Sequence, residues 1–359
     1  MGEQKQDKSA FSGDGRTPSQ SSSNFNVEEY KNLITLDAHR AHNVNCYEGG
    51  SSFTALGYDN TFSLEKFQKN CRIEITKVEE DAVEFDLLGV DPPLANAIRR
   101  ILLAEVPTVA IESVCVYQNT AVLHDEYLSH RLGLVPLAVD AEDMDWVREG
   151  EEKGDGCARP EKVRFMLHAH CKGEDLTVYS GDLVWQPETD REREYFADNP
   201  PRPIHDDIIL ARLAKNQEIL LECWAQKGQG KDHAKWSPVG TAWYRLMPKI
   251  TLLEPIYDEE AEKLEKCCAS GTFGIIEENG RKRAIVKDVR SCTTDRECID
   301  PERGLPGKVL LQKVKDHFLW RIESIGQIPP MELFERALQE LSKKCGTAAN
   351  MLKEEEYYG

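Results

Sequence analysis

Five residues in the last third of the chain have the types and spacing to hold a metal: Cys267, Cys268, Cys292, Asp295 and Cys298. The run Cys292-Thr-Thr-Asp295-Arg-Glu-Cys298 sets three ligand-type side chains at equal steps. Cys267 and Cys268 lie upstream of it in the same region. An iron–sulfur cluster wants soft thiolates at every corner, and Asp295 offers a hard carboxylate. Zinc tolerates carboxylate oxygen, but structural zinc sites usually use Cys and His. Three Cys and one Asp would hold a metal weakly or not at all, and no metal or other cofactor is expected. The competing reading makes the region a metal- or redox-responsive module. The other cysteines (Cys46, Cys71, Cys115, Cys157, Cys171, Cys223 and Cys345) are isolated and read as small buried hydrophobes.

Catalytic chemistry finds no support. Gly228-Gln229-Gly230-Lys231 lacks the first Gly of a phosphate loop and the Ser/Thr after its Lys. There is no dinucleotide fingerprint, His-Glu-x-x-His or nucleophile elbow. His124 and His130 flank an expected helix without a partner cluster, so neither is expected to be a base or a ligand. A net charge of −18 argues against a DNA reader, whose affinity comes mostly from neutralised phosphates. No stretch approaches the roughly 20 apolar residues of a membrane helix. The N-terminus carries no apolar run, and Gln6 stands where a myristoylation signal needs Ser or Thr. These features describe a soluble intracellular chain with free thiols whose partners are other proteins.

The elements that must position these residues follow from periodicity. Residues 1–25 are a Ser/Gln/Gly-rich disordered tail and 26–65 a partly ordered lead-in. CRIEITKV and AVEFDLLGV alternate as a half-buried hairpin should. Asp91 suits an N-cap and Pro92 a first helical position. In the helix that follows, Leu94, Ala97, Ile98, Ile101 and Leu102 share a face, while Arg99 and Arg100 fall off it. Residues 109–254 read as short strands interrupted by a helix near HDEYLSHRLGL. DDIILARL reads as a short strand or helix. Residues 255–305 hold a hairpin with an Asn279-Gly280 turn and Phe273, Ile275, Ile276, Ile285 and Val286 as candidate core. In KDHFLWRIES, the alternation of Phe318, Trp320 and Ile322 predicts a strand. The helix MELFERALQELSKKC places Leu333, Phe334, Ala337, Leu338 and Leu341 on one stripe. Two such stripes could pair with a partner's as a four-helix layer, or each could simply pack on its own sheet.

GVDPPLANAIRRILLAEVPTVAIESV, followed by HDEYLSHRLGLVPL, is similar to the paired signatures of the RNA polymerase α-subunit family. That family comprises bacterial α, its archaeal counterpart and the eukaryotic α-like subunits. Asn96–Leu103 resembles the family helix and His130–Pro136 the second block. HFLWRIESIGQIPPMELFERALQEL resembles its closing strand and helix. KGQGKDHAKWSPVGTAWYRL looks like the eukaryotic and archaeal segment that ends the second domain. Together these matches span most of residues 66–345.

The resemblance implies an α+β fold. Residues 66–108 and 306–359 would form one discontinuous dimerisation domain, split by a mostly β insert domain (109–254) and a small degenerate ferredoxin-like insertion (255–305). It implies a heterodimer with a smaller α-like subunit through the two stripes, Leu94, Ala97, Ile98, Ile101 and Leu102 with Leu333, Phe334, Ala337, Leu338 and Leu341. Arg99 and Arg100 would reach a large subunit. An archaeal cluster loop would read Cys-x₂-Cys-x₂-Cys with a distant Cys-Pro; here Asp295 takes the middle position and Ala269 replaces the Pro. The polymerase II third subunit carries four closely spaced cysteines in its insert; Cys115, Cys157, Cys171 and Cys223 are too dispersed. The chain stops about 14 residues past the last expected helix, short of a bacterial α DNA-binding domain. The long tail and LLAEVPTVAIE favour the form shared by polymerases I and III. The implied role is non-catalytic: docking the two largest subunits for rRNA, 5S rRNA and tRNA transcription, in nucleolus and nucleoplasm, without sequence-specific DNA binding.

Overall fold

A computed structural model describes residues 31–44, 62–147, 159–268 and 271–358. The tail expected at 1–25, and most of the lead-in, lie outside the described residues. From the N-terminus the elements are β1 (Leu33–Leu36), β2 (Ala41–His42), α1 (Leu64–Asn70), β3 (Arg72–Val78), β4 (Ala82–Leu88), α2 (Pro92–Ala104), β5 (Pro107–Asn119) and α3 (Asp125–Gly133). Then come β6 (Lys162–His170), β7 (Asp175–Tyr179), β8 (Val184–Trp185), α4 (Asp190–Tyr195), β9 (Ile209–Ala214), β10 (Glu218–Gln229) and β11 (Val239–Leu252). The chain closes with α5 (Asp258–Cys267), β12 (Phe273–Glu278), β13 (Arg281–Val286), β14 (Val309–Ser324) and α6 (Pro330–Tyr358).

The organising strand is β14. On one edge it pairs with β1 and then with β4, which carries β3; on the other it pairs along its length with β11. Its period-two pattern sets Phe318, Trp320 and Ile322 on one face, all buried. Val83, Phe85 and Leu87 of β4 share their core. α2 and α6 pack on each other and on this face. α2 buries Ala95, Ile98, Ile101 and Leu102, and α6 buries Leu333 and Ala337. Each fully buried aliphatic side chain here contributes about 1.5–3 kcal/mol. Asp91 holds the N-cap position without a side-chain capping bond, so the two prolines at the start of α2 set the helix entry instead.

A second sheet, β5-β10-β6-β8, packs its inner face on α3. The β12–β13 hairpin turns at Asn279 and Gly280, both in the left-handed region, as the Asn-Gly pair predicts. Its register puts Phe273 and Ile275 opposite Val286 and Ala284 on the inner side. Ile276 and Ile285 therefore face outward, and Ala284 takes a core place expected of them.

Two sequence expectations need correction, and the partly ordered lead-in gains an element. β11 falls within 109–254 by sequence order but belongs to the first sheet, because its partner β14 lies far along the chain. β1, within the lead-in, is a true strand burying Leu33 and Leu36. α6 does not stop near Cys345 but runs to Tyr358, through Gly346.

The sheets are tied by specific polar bonds. Gln327 Nε2 donates to Val109 O (2.8 Å) and Leu137 O (3.2 Å). Arg336, nearly buried on α6, forks onto both Asp140 oxygens at 2.8 and 2.6 Å and also pairs with Glu332. Burial pushes the Asp140 carboxyl up, but Arg336 outweighs it and the net shift is downward. Gly230 and Gly228 explain the false phosphate loop: a Cβ would lie 2.3 Å from Leu103 O at Gly230 and 2.3 Å from the Trp236 ring at Gly228. Gly230→Val should cost about 2–3 kcal/mol through that overpacking, seen as a lower thermal midpoint; an unchanged midpoint would contradict the close approach.

Candidate interface

The helix side of the first sheet is incompletely covered. β3 pairs Ile73 with Leu87, Ile75 with Phe85 and Val78 with Val83, so its apolar residues point to the same side as the core. All three are nonetheless exposed, because α2 and α6 lie over β4, β14 and β11. The sequence predicts two half-buried strands; the structure gives a buried β4 and a β3 open on both faces. A contiguous exposed apolar strand face of this kind is a candidate interaction surface.

The helices continue this surface. Phe85 stacks on Trp320 (centroids 5.8 Å, 7°) and meets the edge of Phe334 (4.9 Å, 67°). Phe334 is itself only half-buried, as are Leu94, Ala97 and Leu341, and Leu338 is 40% exposed. Ile98, Ile101, Leu102, Leu333 and Ala337, grouped with these by periodicity, are at most 3% exposed and belong to the chain's own core. One helical stripe thus divides into an inner half that holds the fold and an outer half left free. Sequence reasoning misses Ile73, Ile75 and Val78. The signal is the alternation in RIEITKV, which gives the side but not the cover. Of the two arginines, Arg99 bonds Asn96 Oδ1 through Nε (3.2 Å) and Nη2 (3.0 Å), and Arg100 is exposed.

The remaining candidates are not assembled for chemistry. His124 sits at the exposed N-cap of α3 without capping it. His130 lines an open depression of about 270 Å³ with His233 and Lys235. The Lys235 ammonium is spent on Ile111 O (2.9 Å) and Glu112. His233 Nδ1 accepts from Lys235 N. No nucleophile–base pair forms there.

Cys268, Cys292 and Cys298 are buried in one apolar cluster with Leu264, Phe273 and Leu311, and Cys267 packs against it. Burial pushes the Cys298 thiol up to about 12 and that of Cys267 to about 11, so both are neutral as they stand. Asp295 is turned to its own loop, accepting from Thr293 Oγ1 (2.7 Å) and Glu297 N (3.1 Å). Among the described residues no three His, Cys, Asp or Glu side chains gather as a metal site. The residues do not fit a cluster or a zinc ion. Purified protein should hold less than one iron or zinc per chain; stoichiometric metal lost in Cys292→Ser would contradict this.

The description "RNA polymerase Rpb3/Rpb11 dimerisation domain" matches residues 84–345, from within β4 through α2 and β14 into α6. The chain belongs to that dimerisation-domain family. Family membership implies a partner subunit. The chain is 39% identical over 334 residues to the mouse "DNA-directed RNA polymerases I and III subunit RPAC1", covering 89% of this chain and 94% of that protein. It is 36% identical over 331 residues to the protein of that name in Saccharomyces cerevisiae, covering 88% and 96%. The Arabidopsis thaliana "DNA-directed RNA polymerases II, IV and V subunit 3" is 34% identical over 289 residues, covering 77% and 90%.

Proposed function

We infer that this chain is the larger α-like subunit shared by RNA polymerases I and III, a non-catalytic scaffold of assembly. The observation that carries the reading is the uncovered apolar face formed by Ile73, Ile75 and Val78 with Leu94, Ala97, Phe334, Leu338 and Leu341. Its helix residues Leu94, Ala97, Phe334, Leu338 and Leu341 lie within the matched residues 84–345, and the face adjoins the core. A smaller α-like subunit presenting the same architecture would cover it with its own two helices. Ile98, Ile101, Leu102, Leu333 and Ala337 support that contact from beneath.

Arg99 and Arg100, on the side of α2 away from the stripe, serve the second task, docking a large subunit. An Arg fork suits paired bonds to carboxylates or carbonyls. The pair of α-like subunits gathers the two largest subunits for rRNA, 5S rRNA and tRNA synthesis in nucleolus and nucleoplasm. Residues 255–305 read as a ferredoxin-like insertion that keeps its packing and has given up its metal.

Co-expression with the smaller α-like subunit should give a soluble 1:1 heterodimer, whereas the chain alone should self-associate. A well-behaved monomer that ignores the second subunit would contradict the reading. The heterodimer should bind duplex DNA weakly, as the −18 charge requires; submicromolar binding at physiological salt would contradict that part.

A further inference from the structure

Three cations, Lys313, Arg245 and Arg296, gather where the cysteine-bearing loop 292–298 meets the first sheet. Lys313 lies on β14 two residues past Leu311, on the face that the strand period assigns to the 255–305 insertion. Arg245 reaches the same place from β11. Its guanidinium donates to Cys292 O at 3.3 Å and to Arg290 O, which holds the loop over the sheet. Arg296 comes from the loop itself, and its Nη1 donates to Asp37 O across a long 3.5 Å. Thr294 and Arg296 both take left-handed φ angles, 57° and 71°. Residues with a Cβ, β-branched ones above all, hold that conformation only where surrounding contacts impose it.

The positive charge there is unbalanced. Lys313 is half-buried, yet it makes no side-chain hydrogen bond or ion pair among the described residues. Burial, then the Arg296 charge, holds its ammonium below the usual lysine range; Arg245 adds to this and the Cys292 thiol opposes it. Arg245 Nε is buried and meets no acceptor among the described residues. The carboxylates of the region are spent elsewhere. Asp86 holds Arg290 and His317, Asp37 holds His42, and Asp295 accepts from its own loop. Like charges gathered away from water are costly unless an opposite charge joins them.

We propose that Lys313, Arg245 and Arg296 form a binding site for a small inorganic oxyanion of the phosphate type, held between the first sheet and the cysteine-bearing loop. The donor set selects the ligand class. An ammonium and two guanidinium groups arriving from β14, β11 and the loop suit an ion with several acceptor oxygens. The bonds from Arg245 to the loop carbonyls keep loop and sheet together, so a ligand between them is small. The bound ion neutralises the cluster and joins the 255–305 insertion to the sheet that carries α2 and α6. The site is independent of the heterodimer proposed above.

The full chain, alone or with whatever subunits accompany it, is titrated with inorganic phosphate by equilibrium dialysis at constant ionic strength. One phosphate per chain should bind, and the thermal midpoint should rise with phosphate concentration. Lys313→Met and Arg296→Gln should each weaken binding by at least about tenfold, the effect of losing one charge-assisted hydrogen bond. Lys172→Met, which removes an exposed lysine just past β6, should leave binding unchanged. In phosphate-free buffer Lys313→Met should melt above wild type, because it relieves a charge that nothing else answers. Phosphate binding that survives both Lys313→Met and Arg296→Gln, or no saturable binding to wild type, would overturn the site. An equal rise of the midpoint in chloride and in phosphate would overturn the choice of an oxyanion.

Discussion

Leu338→Asp should abolish pairing with the smaller α-like subunit while leaving this chain folded. Leu338 is 40% exposed in the chain alone, so a carboxylate there remains hydrated until the partner arrives. Covering it would then cost several kcal/mol, more than a hundredfold in affinity at about 1.4 kcal/mol per tenfold. Ile98→Asp should behave differently. Ile98 is 3% exposed beneath α2, so the same charge goes into the core and the chain fails to fold with or without a partner. Circular dichroism and co-purification of both variants separate the cases. If Leu338→Asp pairs normally, the free half of the stripe is not the interface. If Ile98→Asp folds and only loses its partner, the division of the stripe is wrong.

Arg290→Met should destabilise the heterodimer by about 2–3 kcal/mol, with a deficit that depends on pH. Asp86 is 2% exposed on the side of β4 away from the helices. It accepts from Arg290 Nη1 at 2.9 Å and from His317 Nε2 at 2.8 Å. Burial pushes its carboxyl up, but the hydrogen bonds from Arg290 and then His317 outweigh that and hold it below the ordinary carboxylate range. A depressed carboxyl contributes stability that is fully present above its unfolded value, near about 3.9. That stability is lost as pH falls through the lower folded value. Removing Arg290 leaves a buried carboxylate with His317 and a long bond from the Thr76 hydroxyl (3.5 Å), and breaking a buried pair in this way is costly. The deficit against wild type should therefore be largest near neutral pH and shrink below about pH 4 as Asp86 protonates. Thermal midpoints from acid to neutral pH measure it. A gap that does not change with pH would show that Arg290 acts only through packing.

Local periodicity carries much of this architecture, and its failures have physical causes. Phe318, Trp320 and Ile322 are legible because a strand's two-residue period assigns faces from one segment alone. The stripe on α2 is legible as a stripe, but Leu94 and Ile98 cannot be told apart within it. Which half is covered depends on where the sheet beneath stops, and β11 joins that sheet from a distant part of the chain. The exposure of Ile73, Ile75 and Val78 is hidden for the same reason. Gly346 reads as a helix end, yet the good helix formers beyond it carry α6 on to Tyr358. Cys268, Cys292 and Cys298 do come together, as their spacing suggests. Their burial and the turn of Asp295 toward Thr293 belong to the loop geometry, which ligand spacing does not encode.

Affinity purification of the tagged chain from nuclear extract tests its membership of two polymerases most directly. Quantitative mass spectrometry of the purified material should find the smaller α-like subunit at one copy per chain. It should also find the two largest subunits of RNA polymerase I and of RNA polymerase III, together accounting for the bound chain. Recovery of the polymerase II large subunits in their place, or of the chain without any polymerase, would contradict the account.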